Sequence, residues 1–212
     1  MSIDWPATGA MLQGWGTLLG AGAVIYAAKK GADTFESWKR QKVAERRCDQ
    51  AERILTATHK ARRALRAVRS SMLWGHELHA AEAKLKEDLN QWQAQSLPRQ
   101  KRLVSAQAYF NRLDRTKTEQ QELTECLPMA RAIFGEQLER ALEELNQQFW
   151  IVQIDVESYI NDEGQDAVFT KKIRRGMYDV DPREGEVNEV SEKIELSVSE
   201  IEKNCLPALR LT

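Results

Sequence analysis

Residues Ala7 to Ala28, within "ATGAMLQGWGTLLGAGAVIYAAKKG", carry no charge, and Lys29 and Lys30 follow at once. A helix of 22 residues at about 1.5 Å rise per residue reaches ~33 Å, the hydrocarbon thickness of a bilayer. Three fates fit such a stretch: a cleaved leader, a buried helix of a soluble bundle, or a membrane span. A leader normally starts basic, whereas this chain starts "MSIDWP", with Asp4 and no Lys or Arg. A buried helix is usually shorter or broken by a charge. The flanks favour a span. Trp5 and Tyr26 stand near its two ends, where amphipathic rings settle. Lys29, Lys30, Lys39, Arg40 and Lys42 follow it, while only Asp4 precedes it. The sequence therefore predicts a single-pass anchor over residues 1–31 of a bacterial inner membrane, and a cytoplasmic domain over residues 32–212.

Glycine and alanine fill much of the stretch, so its hydrophobicity is modest. Their placement is ordered. On a helix, Gly9, Gln13, Gly16, Gly20, Ala23 and Ala27 share one stripe, with Gly16 and Gly20 forming a GxxxG pair. Small residues let helix backbones approach closely in lipid, where packing drives association, and Gln13 has an amide to share between helices. The expectation is a homo-oligomer assembled through this stripe, either a tight bundle or a wider pore.

Beyond Gly31 the chain predicts an all-α fold of about five or six further helices. There are only five prolines, and no segment alternates strongly enough for a strand. Asp33 and Glu36 have the spacing of a capping box and suggest a helix start, continuing to about Arg69. "RSSMLWG" breaks it. A second helix carries Leu78 to Trp92, and Pro98 opens a third that runs past Leu113. Pro128 suggests a kink or restart before a long helix to about Ile160. A short helix around Phe169 and a last one from Val190 to Cys205 complete the set, joined by the loop "YDVDPREGEVNE". Cys48, Cys126 and Cys205 are widely spaced and odd in number, which suits small core residues in a reducing compartment.

Charge is distributed unevenly under a net of −1. Residues 29–69 hold 13 Lys or Arg and 5 Asp or Glu, a net of +8; residues 119–166 hold 2 and 12, a net of −10. The two regions can pair with each other, or the basic helix can meet anionic lipid head groups or another protein. Nucleic acid is the least favoured partner, because the aromatic interleaving of single-strand binders is absent.

Chemistry-bearing motifs are sparse. His76 and His79 stand three apart with Glu82 beyond, but a full metal-ligand set is missing, so neither metal nor cofactor is expected. No P-loop, dinucleotide fingerprint or nucleophile elbow occurs. "KKIRRGMYDVDPREGE" at 171–186 is a distinctive polar stretch, read either as a recognition loop or, preferably, as an ordinary connection. Arg69-SSMLWG-His76 and Arg53-ILTAT-His59 both fit an Arg-x4–6-His spacing.

Together, Trp5, the glycine-rich span, Lys29-Lys30, the basic helix and the Arg69/His76 spacing resemble the membrane-anchored, HEPN-like accessory proteins of type VI-B CRISPR systems. That resemblance implies a spanning helix, a helical cytoplasmic domain and assembly into a membrane pore in antiviral defence. It also implies, as an alternative, a tethered ribonuclease using Arg69 and His76. The preferred expectation is a non-enzymatic membrane protein that self-assembles; a scaffold recruiting a cytoplasmic protein partner is a third reading.

Overall fold

A computed structural model describes residues 5–88, 92–179 and 187–210, with side chains described from Leu19 onward, Gly20 excepted. Among the described residues the chain is all-helical, as the sequence predicts. The helices are α1 (Trp5–Val68), α2 (Gly75–Asp88), α3 (Leu97–Arg115), α4 (Lys117–Phe134), α5 (Glu136–Asn161), α6 (Ala167–Met177) and α7 (Glu189–Leu209). A 3-10 turn at Trp92–Ala94 lies between α2 and α3 and takes Trp92 out of the predicted second helix. Among the described residues no helix is long and apolar enough to cross a membrane.

Several predicted boundaries move. α1 passes through Gly31, Asp33 and Glu36 without a break. One exposed glycine costs a helix only about 1 kcal/mol relative to alanine, too little to end it between alanines and lysines. α4 likewise passes through Pro128 and stops at Gly135, whose φ of 96° supplies the turn that the proline was expected to make. The α3–α4 junction falls at Thr116, whose hydroxyl donates to the carbonyl of Leu113 at 2.8 Å.

The chain divides into two units, Met1–Arg47 and Cys48–Thr212. In the first, the described side chains of residues 19 and 21–47 are exposed. They include Leu19 (72% exposed), Ile25, Tyr26, Phe35, Trp38 and Val43. The rings of Phe35 and Trp38 lie 5.8 Å apart, and both side chains are exposed.

In the second unit, α5 is the central element. Leu138, Leu142, Leu145, Phe149, Val152 and Val156 recur at helical steps and are all buried. Ile54, Thr58, Ala61 and Leu65 of α1 join the same core, as do Leu123 of α4, Ile173 of α6 and Ile194 and Ile201 of α7. Burying each of the leucine, isoleucine, valine and phenylalanine side chains contributes about 1.5–3 kcal/mol. Cys126 and Cys205 are buried thiols and Cys48 is half-buried; burial raises the Cys126 thiol and pushes Cys205 up to about 11.

Candidate functional site

Two buried arginines organise the bundle. α1 ends at Val68, so the carbonyls of the turn that follows need partners outside the helix. Arg112 of α3 supplies them: Nη1 donates to the carbonyl of Ser70 at 2.8 Å and Nη2 to that of Met72 at 2.6 Å. The same guanidinium grips Glu77 in a two-pronged pair, Nε to Oε1 at 2.8 Å and Nη2 to Oε2 at 2.7 Å. Glu77 Oε2 also accepts the N–H of Trp74 at 2.9 Å, half of a capping box at the start of α2. The Arg112 hydrogen bond holds the Glu77 carboxyl down at about 2, against the opposing effect of burial. The Tyr109 ring lies 5.3 Å from the Arg112 guanidinium, and its hydroxyl donates to the Ser70 carbonyl.

Arg69, one residue past α1, faces the other way and is 1% exposed. Its Nε donates to the Gly176 carbonyl at 2.8 Å and its Nη1 to Ser191 Oγ at 3.0 Å. Its Nη2 meets the carbonyls of Arg175 and Tyr178 and the side-chain oxygen of Asn188 at 2.9–3.0 Å. Burial pushes this guanidinium below its ordinary value, with Asp179 and Asp155 opposing. Arg69 thus staples the C-terminal end of α6 to the N-terminal end of α7. Every guanidinium nitrogen is engaged, leaving none for a phosphodiester. His76 is exposed in the first turn of α2. Of the Arg69/His76 pair, Arg69 is thus held inside the bundle and His76 lies exposed on α2. His59 meets Glu202 instead, at 3.5 Å, and Arg53 meets Glu125 at 3.2 Å.

The other predicted site residues are placed as follows. Lys29, Lys30, Lys39, Arg40 and Lys42 are exposed, and Lys42 pairs with Glu45 at 2.6 Å. Ala23 and Ala27 are exposed on α1; the side-chain surroundings of Gly9, Gln13, Gly16 and Gly20 lie outside the described residues. His79 is exposed, and among the described residues no cluster of three His, Cys, Asp or Glu side chains is arranged to hold a metal.

Sequence reasoning missed a cavity of about 700 Å³ between α5, α6 and α7. Ile151, Ile154 and Val190 form apolar wall, and Asp155 of α5 faces the α6 backbone. A Cβ at Gly176 would clash with the Asp155 carboxylate, so this close approach needs glycine. Burial pushes the Asp155 carboxyl up to about 6, despite Lys172 and Arg69 nearby. The "KKIRRGM" part of the predicted connection is the body of α6, and its Lys171, Lys172 and Arg175 line this cavity; residues 180–186 lie outside the described residues. The available signals were small: a glycine inside a helix and polar Gln148 and Asp155 beside the apolar stripe of α5.

Fold and site together define an all-α bundle locked by buried arginines around its first interhelical turn. No protein-family model matches the chain, and comparison with curated proteins and with solved structures finds no significant match.

Proposed function

We propose that this chain is a membrane-tethered helical protein that self-associates through the start of α1, acting as a non-enzymatic effector or pore-former of the kind used in antiviral defence. What carries the reading is the state of the first unit. Leu19, Val24, Ile25, Tyr26, Phe35, Trp38 and Val43 are 54–72% exposed on one helix. An isolated helix has little stability in water beyond what its apolar residues gain by burial. Lipid and a second copy of the helix are the two environments that bury them. The charge-free stretch and the lysines after it orient the helix in a bilayer, with the bundle on the cytoplasmic side. Lys29, Lys30, Lys39, Arg40 and Lys42 then meet anionic head groups at about 1 kcal/mol each. The modest apolarity of the stretch fits a helix whose Gly9–Gly16–Gly20 side packs on another helix while its leucines face lipid.

Mass measurement in mild detergent tests the association. The wild type is expected to be an oligomer, and Gly16→Ile, which pushes the backbones apart, to shift it towards monomer. A wild-type monomer that Gly16→Ile leaves unchanged contradicts the reading.

A further inference from the structure

The cavity between α5, α6 and α7 has a composition that the anchor does not explain. Its volume, about 700 Å³, falls within the ~300–1,000 Å³ of sites that enclose small molecules. Ile151, Ile154 and Val190 give it apolar wall, and Val168 stands exposed at its edge. Four cations line it: Lys171, Lys172 and Arg175 from α6 and Lys193 from α7, against two anions, Asp155 and Glu189. Gln148, 2% exposed, is also a lining residue. Its Nε2 donates to the Glu144 carbonyl, while its Oε1 is buried without a hydrogen-bond partner. A buried acceptor left unpaired is destabilising, and a purely structural α5 avoids it with leucine at this position.

We infer that this cavity is a binding site for a small amphipathic anion, an apolar ring or short acyl body carrying one phosphate or carboxylate. The apolar body lies against Ile151, Ile154 and Val190. The anionic group meets the lysines of α6 and α7, where a net positive lining favours it. A polar group on the ligand, or an ordered water brought with it, satisfies Gln148 after a small side-chain adjustment. The site also touches the Arg69 staple, since Gly176 lines the cavity and its carbonyl accepts from Arg69 Nε. Occupancy is thereby coupled to the joint between α6 and α7. This inference does not depend on the membrane reading.

Calorimetric titration of the full chain with 1-naphthyl phosphate tests it, beside 1-naphthol and inorganic phosphate as single-feature controls. Naphthyl phosphate is expected to bind one per chain, at least tenfold more tightly than either control. Lys172→Met with Lys193→Met, both conservative in volume, should weaken it at least tenfold while the thermal midpoint stays within a few degrees. Ile154→Ser should weaken naphthyl phosphate without changing the response to inorganic phosphate. The wild-type comparison stands even if a variant fails to fold. Equal affinity for naphthyl phosphate and phosphate, no binding at all, or binding that survives the double lysine variant and so belongs to exposed apolar residues such as those of α1, each overturns the inference.

Discussion

Arg112 and Glu77 show how two side chains fix a turn that the intervening sequence does not specify. Nothing in "RSSMLW" encodes a tight turn; the carbonyls of Ser70 and Met72 are held by a guanidinium 40 and more residues away in sequence. Removing one partner of a buried pair costs about 3–5 kcal/mol, because the other charge is stranded. Arg112→Met should therefore lower the denaturation free energy by that amount, and the Arg112→Met, Glu77→Leu double variant should recover part of it. The carboxyls of Glu77 and Asp155, the most strongly shifted, act in opposite pH windows. Glu77 is held at about 2, below its ordinary 4.5, so its contribution is complete above that value and is lost as pH falls through about 2. Asp155 is raised from 3.8 to about 6, so the folded state binds its proton more tightly. Stability from this group rises as pH falls through about 6 and levels off below about 4. Asp155→Asn should then stabilise the fold near pH 8 and make little difference near pH 4, measured by urea midpoints. Gly176→Ala should destabilise by about 1–3 kcal/mol through its clash with Asp155, and less in an Asp155→Ala background. The spacing of Arg69 to His76 is visible in the sequence, whereas its five acceptors come from residues 175–191 and only the fold brings them together.

At the scale of elements, periodicity carried most of the information. The stripes of α5 and α7 are buried as their spacing requires, with Leu142, Val152, Ile194 and Ile201 at 5% exposure or less. The bundle half of the basic helix also finds acidic partners within the chain: Arg53 with Glu125 and Lys60 with Glu122 on α4, and Arg62 with Glu195 on α7. These exposed pairs are worth at most about 1 kcal/mol each, so they steer packing more than they hold it. Local breakers were the least legible feature, because one glycine or proline has different consequences in different backbones. Gly31 lies inside a helix, where an added Cβ meets nothing within 4 Å, whereas Gly135 has φ 96° and ends one. Gly31→Ala is expected to raise helix stability by about 0.5–1 kcal/mol, and Gly135→Ala to lower the stability of the bundle by about 1–3 kcal/mol. Circular dichroism melts of the two variants give opposite signs if the placement of these glycines is right.

At the scale of the whole molecule, the second unit buries a core although Trp74, Leu97, Trp150 and Leu196 stay exposed on it, whereas the described side chains of the first unit are all exposed. Residues 48–212 bury a continuous core, while Tyr26, Phe35, Trp38 and their neighbours in the first unit stay exposed. The charge-free stretch was legible at once, since absence of charge needs no tertiary context. What covers it was not, since lipid and a second copy both tolerate glycine and alanine. Alkaline carbonate extraction of membranes from cells expressing the full chain, followed by flotation on liposomes with and without phosphatidylglycerol, tests this account most directly. The protein is expected to stay in the membrane pellet after extraction, and phosphatidylglycerol to strengthen flotation. Charge reversal at Lys29, Lys30 and Lys39 should weaken the phosphatidylglycerol effect and leave resistance to extraction intact. Complete release into the carbonate supernatant, with no flotation on either liposome, would contradict the membrane tether.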